Sequence, residues 1–385
     1  MNWRTFYILN IAIFTAMLGM GIVIPFLPIY AKTLGATGVS IGIFFASFPL
    51  AQMVFVPWVG RLSDRWGRKF FIALGLFLSS VLSLWFVAAP DMVSLTLARF
   101  FQGCGAALIL PISAACVGDI APPAKRGELM GIFNLFLTGS IGIGPLAGGW
   151  ISETYGMATS FYCMGALNAL AFLFVVGFLS ETHSGPGSTV QQGSYRLLLQ
   201  RPLVRGIALY RMVNAIQLGL WFSFLPILAT ELLQLNKAEI GPVLATYMLT
   251  SCATQVPFGR MADRLSKRRL IMVSGVLSSA IFLSVLFVQG FWPLLLVNCL
   301  AGFAGAISTP ALTALAAQEG QGGSMGAVMG ILSLAMSVGM MLGPVLAGLI
   351  SDFVGLRPLF VFGAIAGILG TLVFAWLTGE TRRTA

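Results

Sequence analysis

The sequence predicts an all-α membrane protein: twelve transmembrane helices in two pseudo-symmetric six-helix bundles. Apolar runs of roughly 20 residues, the length that crosses a bilayer, recur from end to end. Of the 385 residues, 58% are hydrophobic and only 9% charged, against about a quarter charged in an ordinary soluble domain. The third observation is an internal repeat, developed below. Twelve spans take up about 240 to 260 residues, so only short loops remain and a second soluble domain does not fit between them.

The spans read near 6–29, 39–60, 70–89, 93–117, 129–151 and 159–180, then 203–229, 238–259, 269–289, 292–317, 325–350 and 358–378. The first lacks a small-residue cleavage pattern and reads as a helix that stays. A polar stretch containing His183, Ser184, Gly185 and Pro186 reads as a linker. The expected organisation is therefore a bundle over 1–180, a central linker over 181–202 and a second bundle over 203–385. The 45 glycines suit close helix approach in lipid.

Charge supplies an orientation. Seventeen Lys and Arg residues fall on one side of the spans, from Arg4, Arg61, Arg65, Arg68 and Lys69 through to Arg382 and Arg383; the other side holds only Lys32, Lys237 and Arg357. Basic residues accumulate in cytoplasmic loops. Both termini and the linker are thus expected in the cytoplasm of a bacterial-type inner membrane. The net charge of +10 makes no continuous basic stripe, which argues against nucleic acid. Five cysteines lie within apolar segments without metal-ligand spacing, so neither a metal site nor a disulfide framework is expected.

The halves superpose at an offset of 199 residues: Gly60-Arg61 on Gly259-Arg260, Asp64-Arg65 on Asp263-Arg264, Gly103 on Gly302, Pro111 on Pro310, Gly144-Pro145 on Gly343-Pro344 and Glu181-Thr182 on Glu380-Thr381. Gly, Pro and Asp staying in phase through four helices is not chance apolar similarity. With an even number of spans in each half, both insert in the same sense, and a substrate path is expected where they meet.

Four segments carry chemistry. In Gly60-Arg61-Leu62-Ser63-Asp64-Arg65-Trp66-Gly67-Arg68-Lys69, glycines permit a tight turn while Asp64 pairs with nearby cations. Such a cluster suits a breakable latch, with a topogenic basic loop as the plainer reading. The copy at Asp263 and Arg264 has Ser266 in place of Gly67, which implies a looser latch. Arg99, followed by Gln102 and Gly103, sits about two turns inside its span, where a guanidinium needs a partner, water or room to snorkel. Gly144-Pro145-Leu146-Ala147-Gly148-Gly149 suits a kinked, closely packed helix, whether for packing or for gating. Leu18-Gly19 precedes Pro25 and Pro28 in the first span.

Together these motifs resemble the major facilitator superfamily, in particular its twelve-span drug:proton antiporter branch, over essentially the whole chain. The resemblance implies a major facilitator fold and export of small amphipathic compounds across the bilayer by a monomer. It implies a proton gradient as driving force and no cofactor. It further implies a cytoplasmic latch at Gly60, Asp64, Arg65, Gly67, Arg68, Lys69, Asp263 and Arg264, and coupling through Arg99, Gln102, Gly103 and Asp119. Gly144, Pro145, Gly148 and Gly149 become the antiporter-motif helix; Ser140 stands where the family usually has glycine.

One element of the pattern is missing. All twelve acids map to loops or span ends, so no mid-membrane carboxylate is at hand; a proton carrier would have to be Asp119, Glu128 or Glu231. The intramembrane charge is instead positive. Arg211, with Asn214 and Gln217 on broadly one side, is a candidate cavity lining with Asn134, Tyr247 and Asn298. Arg99 and Arg211 would favour anionic or zwitterionic amphiphiles, the alternative substrate class. An intramembrane enzyme is disfavoured: there is no His-Glu-x-x-His, no histidine within a span to activate a serine and no paired mid-membrane aspartates, while the lack of a Gly-x4-Gly-Lys-Ser/Thr loop argues against ATP-driven pumping.

Overall fold

The structure, a computed structural model, describes residues 3–122, 125–182, 195–320 and 325–380. Most of the expected linker, including His183, and the terminal Arg382 and Arg383 lie outside them. The described chain is helical, in the order α1 (Trp3–Val23), a 3-10 turn (Ile24–Phe26), α2 (Leu27–Thr33), α3 (Gly38–Trp66), α4 (Arg68–Ala88), α5 (Met92–Ile120), α6 (Arg126–Thr154) and α7 (Met157–Phe178). After these come α8 (Tyr195–Leu198), α9 (Pro202–Glu231), α10 (Lys237–Arg264), α11 (Lys267–Ser284), a 3-10 turn (Val285–Phe287), α12 (Phe291–Glu319), α13 (Met325–Phe353) and α14 (Leu356–Glu380). No strand occurs among the described residues.

By length and composition, 11 of these are apolar enough to cross a membrane, α1 and α2 counting as one broken span. The break follows from Pro25 and Pro28, which remove two amide donors and tighten the turn between them. The twelfth expected span, α10, is long enough at 28 residues but more polar than the rest. Thr246, Thr250, Ser251, Thr254 and Gln255 interrupt it, and charges crowd both ends. Most helices overrun the expected spans by a few residues, because a helix continues to satisfy its own backbone beyond the hydrocarbon layer. Prolines inside α3, α5, α6, α9, α12 and α13 are tolerated because neighbouring helices and local adjustments re-satisfy the freed backbone groups.

Two compact units are present. Unit 1 comprises Met1–Ala36, Ile43–Ser188 and Leu235–Met248; unit 2 comprises Thr37–Gly42, Thr189–Gln234 and Leu249–Ala385. Each is built mainly from one sequence half and takes in the first turns of α10 or α3. In unit 1, α1 packs on α6 and α7, and α4 on α5 and α7; in unit 2, α9 packs on α13 and α14, and α11 on α12 and α14. The apolar core of unit 1 includes Phe6, Ile13, Ile72, Ile109 and Val117, and that of unit 2 includes Ile207, Ile271, Leu312, Val328 and Phe374. Large apolar side chains also point outward, Trp58 at 70% exposed and Trp292 at 75% among them, as a lipid-facing surface requires.

Backbone proximity sets the packing of α1 on α6. A Cβ added to Gly144 would run into the backbone of Gly21 and Ile22, and one on Gly148 into Ile22. Between helices in lipid there is little hydrophobic drive, so such close contact supplies the dispersion energy that holds the pair. Gly144→Leu is therefore expected to lower the thermal stability of the detergent-purified protein, an overpacking cost of about 1–3 kcal/mol. Gly131→Leu, where nothing lies within 4 Å of an added Cβ, should leave it unchanged.

Candidate functional site

The charged turn after α3 closes into a cluster drawn from four places in unit 1. Gly67, at φ +94°, makes the tight entry into α4 that a side chain would strain. That entry leaves the first amides of α4 free. Glu181, just beyond α7, accepts from the Arg68 amide at 2.8 Å and from the Lys69 amide at 3.2 Å. A Cβ at Gly67 would press on that carboxylate, at 2.5 Å from Oε2. The Arg68 guanidinium spans Asp64 of α3, at 3.2 Å, and Asp119 of α5, which accepts from its Nε. Lys69 turns its ammonium to the Val176 carbonyl at the end of α7, at 2.9 Å. Four helix ends are thus tied through one arginine and one glutamate. Arg68 is 11% exposed, so its hydrogen bonds to carboxylate are partly shielded from water.

This geometry revises one expectation. The motif pattern groups Asp119 with Arg99, yet 20 residues of helix separate them, about 30 Å at 1.5 Å per residue. The α5 helix delivers Asp119 to Arg68 and not to the coupling motif. In the sequence Glu181 is only one half of a repeated Glu-Thr pair, and that repetition is the available signal for its role.

The second copy is built differently. Arg268 donates to the Ala375 carbonyl at 2.6 Å, the repeat counterpart of Lys69 and Val176. Asp263 and Arg264 are exposed and form no ion pair among the described residues. Two substitutions explain this. Ser266 enters α11 at φ −63°, remaking the turn, and Gln318 stands where the repeat places Asp119. Gly60 has open space around it and Arg65 is exposed.

Arg99 lies inside unit 1 at 4% exposure. Its Nη1 donates to Gln102 at 2.6 Å, and Nε has no hydrogen-bond partner among the described residues. Three phenylalanines of α3 surround the guanidinium, with Phe44, Phe45 and Phe48 ring centroids at 5.9, 5.8 and 4.6 Å. Gly103, one turn on, makes that approach feasible, since a Cβ there would strike the Phe48 carbonyl at 2.5 Å. The motif's Arg, Gln and Gly thus act together: the glycine brings the rings close, and the rings and glutamine hold the cation. No ion pair to Arg99 occurs among the described residues.

Of the expected cavity residues, Asn298 and Gln217 are buried and internally satisfied. Asn298, the repeat counterpart of Arg99, accepts from Trp221 Nε1 at 3.1 Å, and Gln217 donates to the Gly363 carbonyl at 3.0 Å. Interhelical hydrogen bonding is therefore their observed role. Arg211 and Asn214 are half-buried on α9, Arg211 with Nη2 at 3.0 Å from Met336 Sδ; Tyr247 is half-buried on α10 and Asn134 exposed on α6. Among the described residues no group of His, Cys, Asp and Glu could hold a metal.

The Major Facilitator Superfamily model matches residues 9–236 and again 207–385. The chain belongs to the major facilitator superfamily. Among superfamily relatives, it is 29% identical over 373 residues to an uncharacterized MFS-type transporter of Methanocaldococcus jannaschii, covering 95% of this chain and 96% of that one. It is 28% identical to multidrug resistance protein 2 of Bacillus subtilis, covering 96% and 94%, and 25% identical to quinolone resistance protein NorA of Staphylococcus aureus, covering 96% of each. A solved bacterial homologue of the human lysosomal transporter Spinster shares the fold, with a TM-score of 0.82, 14% identity and coverage of 97% and 96%. The chain is accordingly a multi-pass membrane transporter.

In the superfamily's loop signature as this chain writes it, Arg68 and Asp119 should be energetically coupled. Asp119→Asn and Arg68→Gln are expected each to lower thermal stability, with the double variant little worse than either. A double-mutant cycle on the purified protein should give a coupling of about 1 kcal/mol. The same cycle on Asp263 and Lys267 should give none.

Proposed function

We propose that the chain is a secondary-active exporter of small amphipathic compounds that works by alternating access. The reading places both termini on the cytoplasmic side of a bacterial-type plasma membrane and takes the monomer as the working unit. The observation that carries it is full-length similarity to two proteins named for drug resistance, in a chain that keeps the Gly144-Pro145 export-type helix. The Arg68 cluster supports it in kind. Hydrogen bonds to carboxylates across helix ends break and re-form without repacking a core, as a latch on the cytoplasmic side must. A proton gradient is the proposed drive. The carrier would be a carboxylate at a helix end, Asp119, Glu128 or Glu231, with Asp119 already engaged by Arg68.

Arg99 favours a second reading, export of anionic or zwitterionic amphiphiles. A guanidinium this buried, whose Nε has no hydrogen-bond partner and which has no carboxylate paired with it among the described residues, is poorly compensated. An anionic group on the substrate would supply the missing charge.

Liposomes holding a pH-sensitive dye separate the two readings. On the first, a lipophilic cation drives proton flux, and Arg99→Gln lowers that flux about tenfold or more without lowering thermal stability. On the second, only lipophilic anions drive flux, and Arg99→Gln abolishes it. Labelled substrate equilibrating with no dye response would remove the proton and leave the carrier.

A further inference from the structure

The first turns of α3 and α10 carry an acid cap that their own sequence does not require. A helix leaves its first amides without internal partners, and a local side chain ordinarily takes one of them. Both helices have such a cap: Thr37 Oγ1 accepts from the Ser40 amide at 3.2 Å, and Asn236 Oδ1 from the Glu239 amide at 2.8 Å. A second, distant group takes the amides before those. In unit 2, Asp352 near the end of α13 accepts from the Gly38 amide at 2.6 Å and the Val39 amide at 2.9 Å. In unit 1, Glu153 near the end of α6 accepts from the Lys237 amide at 3.0 Å. The two sets are repeat counterparts throughout, each offset by 199: Thr37 and Asn236, Gly38 and Lys237, Glu153 and Asp352.

Behind each cap the helices touch through backbone. A Cβ on Gly38 would meet the Gly348 carbonyl at 2.6 Å, and one on Gly42 the Pro344 carbonyl at 2.5 Å. In unit 1, Gly149 lies against the Lys237 carbonyl and Gly241 against that of Pro145. Pro344, Gly348 and Asp352, like Pro145, Gly149 and Glu153, follow at four-residue steps and form one stripe on their helix. At the glycines of these stripes backbone meets backbone, so the surfaces part there with little side-chain repacking. What holds them is short-range contact plus a carboxylate on a helix N-terminus, where the dipole adds to the hydrogen bonds. The helices concerned, α3 and α10, are the ones that run from one unit into the other. They begin at the end of the spans away from the arginine-rich loops.

We propose that Asp352 and Glu153 are a matched pair of latch residues, holding the starts of α3 and α10 against α13 and α6 in one end state of the transport cycle and releasing them in the other. The proposal rests on the alternating-access reading above. It also gives the Gly-Pro helices a definite role, since Pro145 and Pro344 begin the two stripes and the acids end them.

The test uses single reporter cysteines at Ile41 and Ile240, both fully buried, close behind the caps. The two positions are repeat counterparts, offset by 199 like the caps themselves. They are placed in full-length protein whose five native cysteines are replaced, with Ile72→Cys in the core of unit 1 as control. Labelling by a membrane-impermeant maleimide is followed from either side. Removing one cap by Asp352→Ala or Glu153→Ala should raise labelling of both reporters together, about fivefold for each cap lost and about 25-fold for the double variant, from the side opposite the arginine-rich loops. Asp352→Asn and Glu153→Gln, which keep an acceptor oxygen and lose the charge, should fall between and cover the case in which an alanine variant does not fold. A rise confined to the reporter beside the lost cap means local fraying and overturns the latch, as does a rise at the control, or no rise in variants of wild-type thermal stability. Labelling needs no turnover. A joint rise in a protein that moves no solute would keep the latch and defeat the transport reading.

Discussion

A backbone amide in hydrocarbon has no water to turn to, and this constraint reaches every feature of the molecule. It makes the chain helical, because only an α-helix satisfies its amides and carbonyls within one segment. It also concentrates the remaining demand at helix ends, where four donors or acceptors are left over. The side chains that answer this demand do more than finish helices. Glu181 closes the start of α4, Asp352 the start of α3 and Glu153 the start of α10, each reaching from another part of the chain. In this chain, capping is tertiary structure.

The same constraint distributes the charges. All of the described helical acids sit in the first or last turn of a helix, where water or a helix terminus offsets them, and the Arg68 cluster gathers several into one network. Two arginines lie deeper, Arg211 on α9 and Arg99 on α5, the latter held by aromatic faces and an amide. Its repeat counterpart Asn298 shows the neutral solution to the same place, paired with Trp221 amid Phe282 and Phe360. The duplicated scaffold has thus kept backbone positions and let electrostatics diverge: an arginine against an asparagine, and a full ion-pair cluster against a turn remade by Ser266.

Helix contact in lipid depends on surface fit, and here fit means absence of side chains. The stripes on α6 and α13 serve two neighbours at once. Gly144 meets Gly21 on α1 while Gly149 meets Lys237 on α10, and Gly343 meets Ile216 on α9 while Gly348 meets Gly38 on α3. Where two helices meet through backbone they slide or separate at little cost in rotamer rearrangement, a useful property in a transporter.

Much of this was legible in one dimension. Apolar length and charge scarcity determine the helices, since bilayer thickness and backbone satisfaction admit few alternatives, and the 199-residue repeat shows which positions of the two sequence halves correspond. The loop signature identified Asp64, Arg68 and Lys69, and the glycines marked the close contacts. Partnership was not legible. Sequence spacing could not say that Asp119 belongs with Arg68, that Phe44, Phe45 and Phe48 enclose Arg99, or that Gln217 and Asn298 are spent on neighbouring helices. Glu153 and Asp352 looked like ordinary span-end acids until the fold set them on helix starts 84 and more than 300 residues away in sequence. The bilayer decides which segments are helices from local composition alone, whereas which ends meet depends on how those helices pack, a property that no single segment contains.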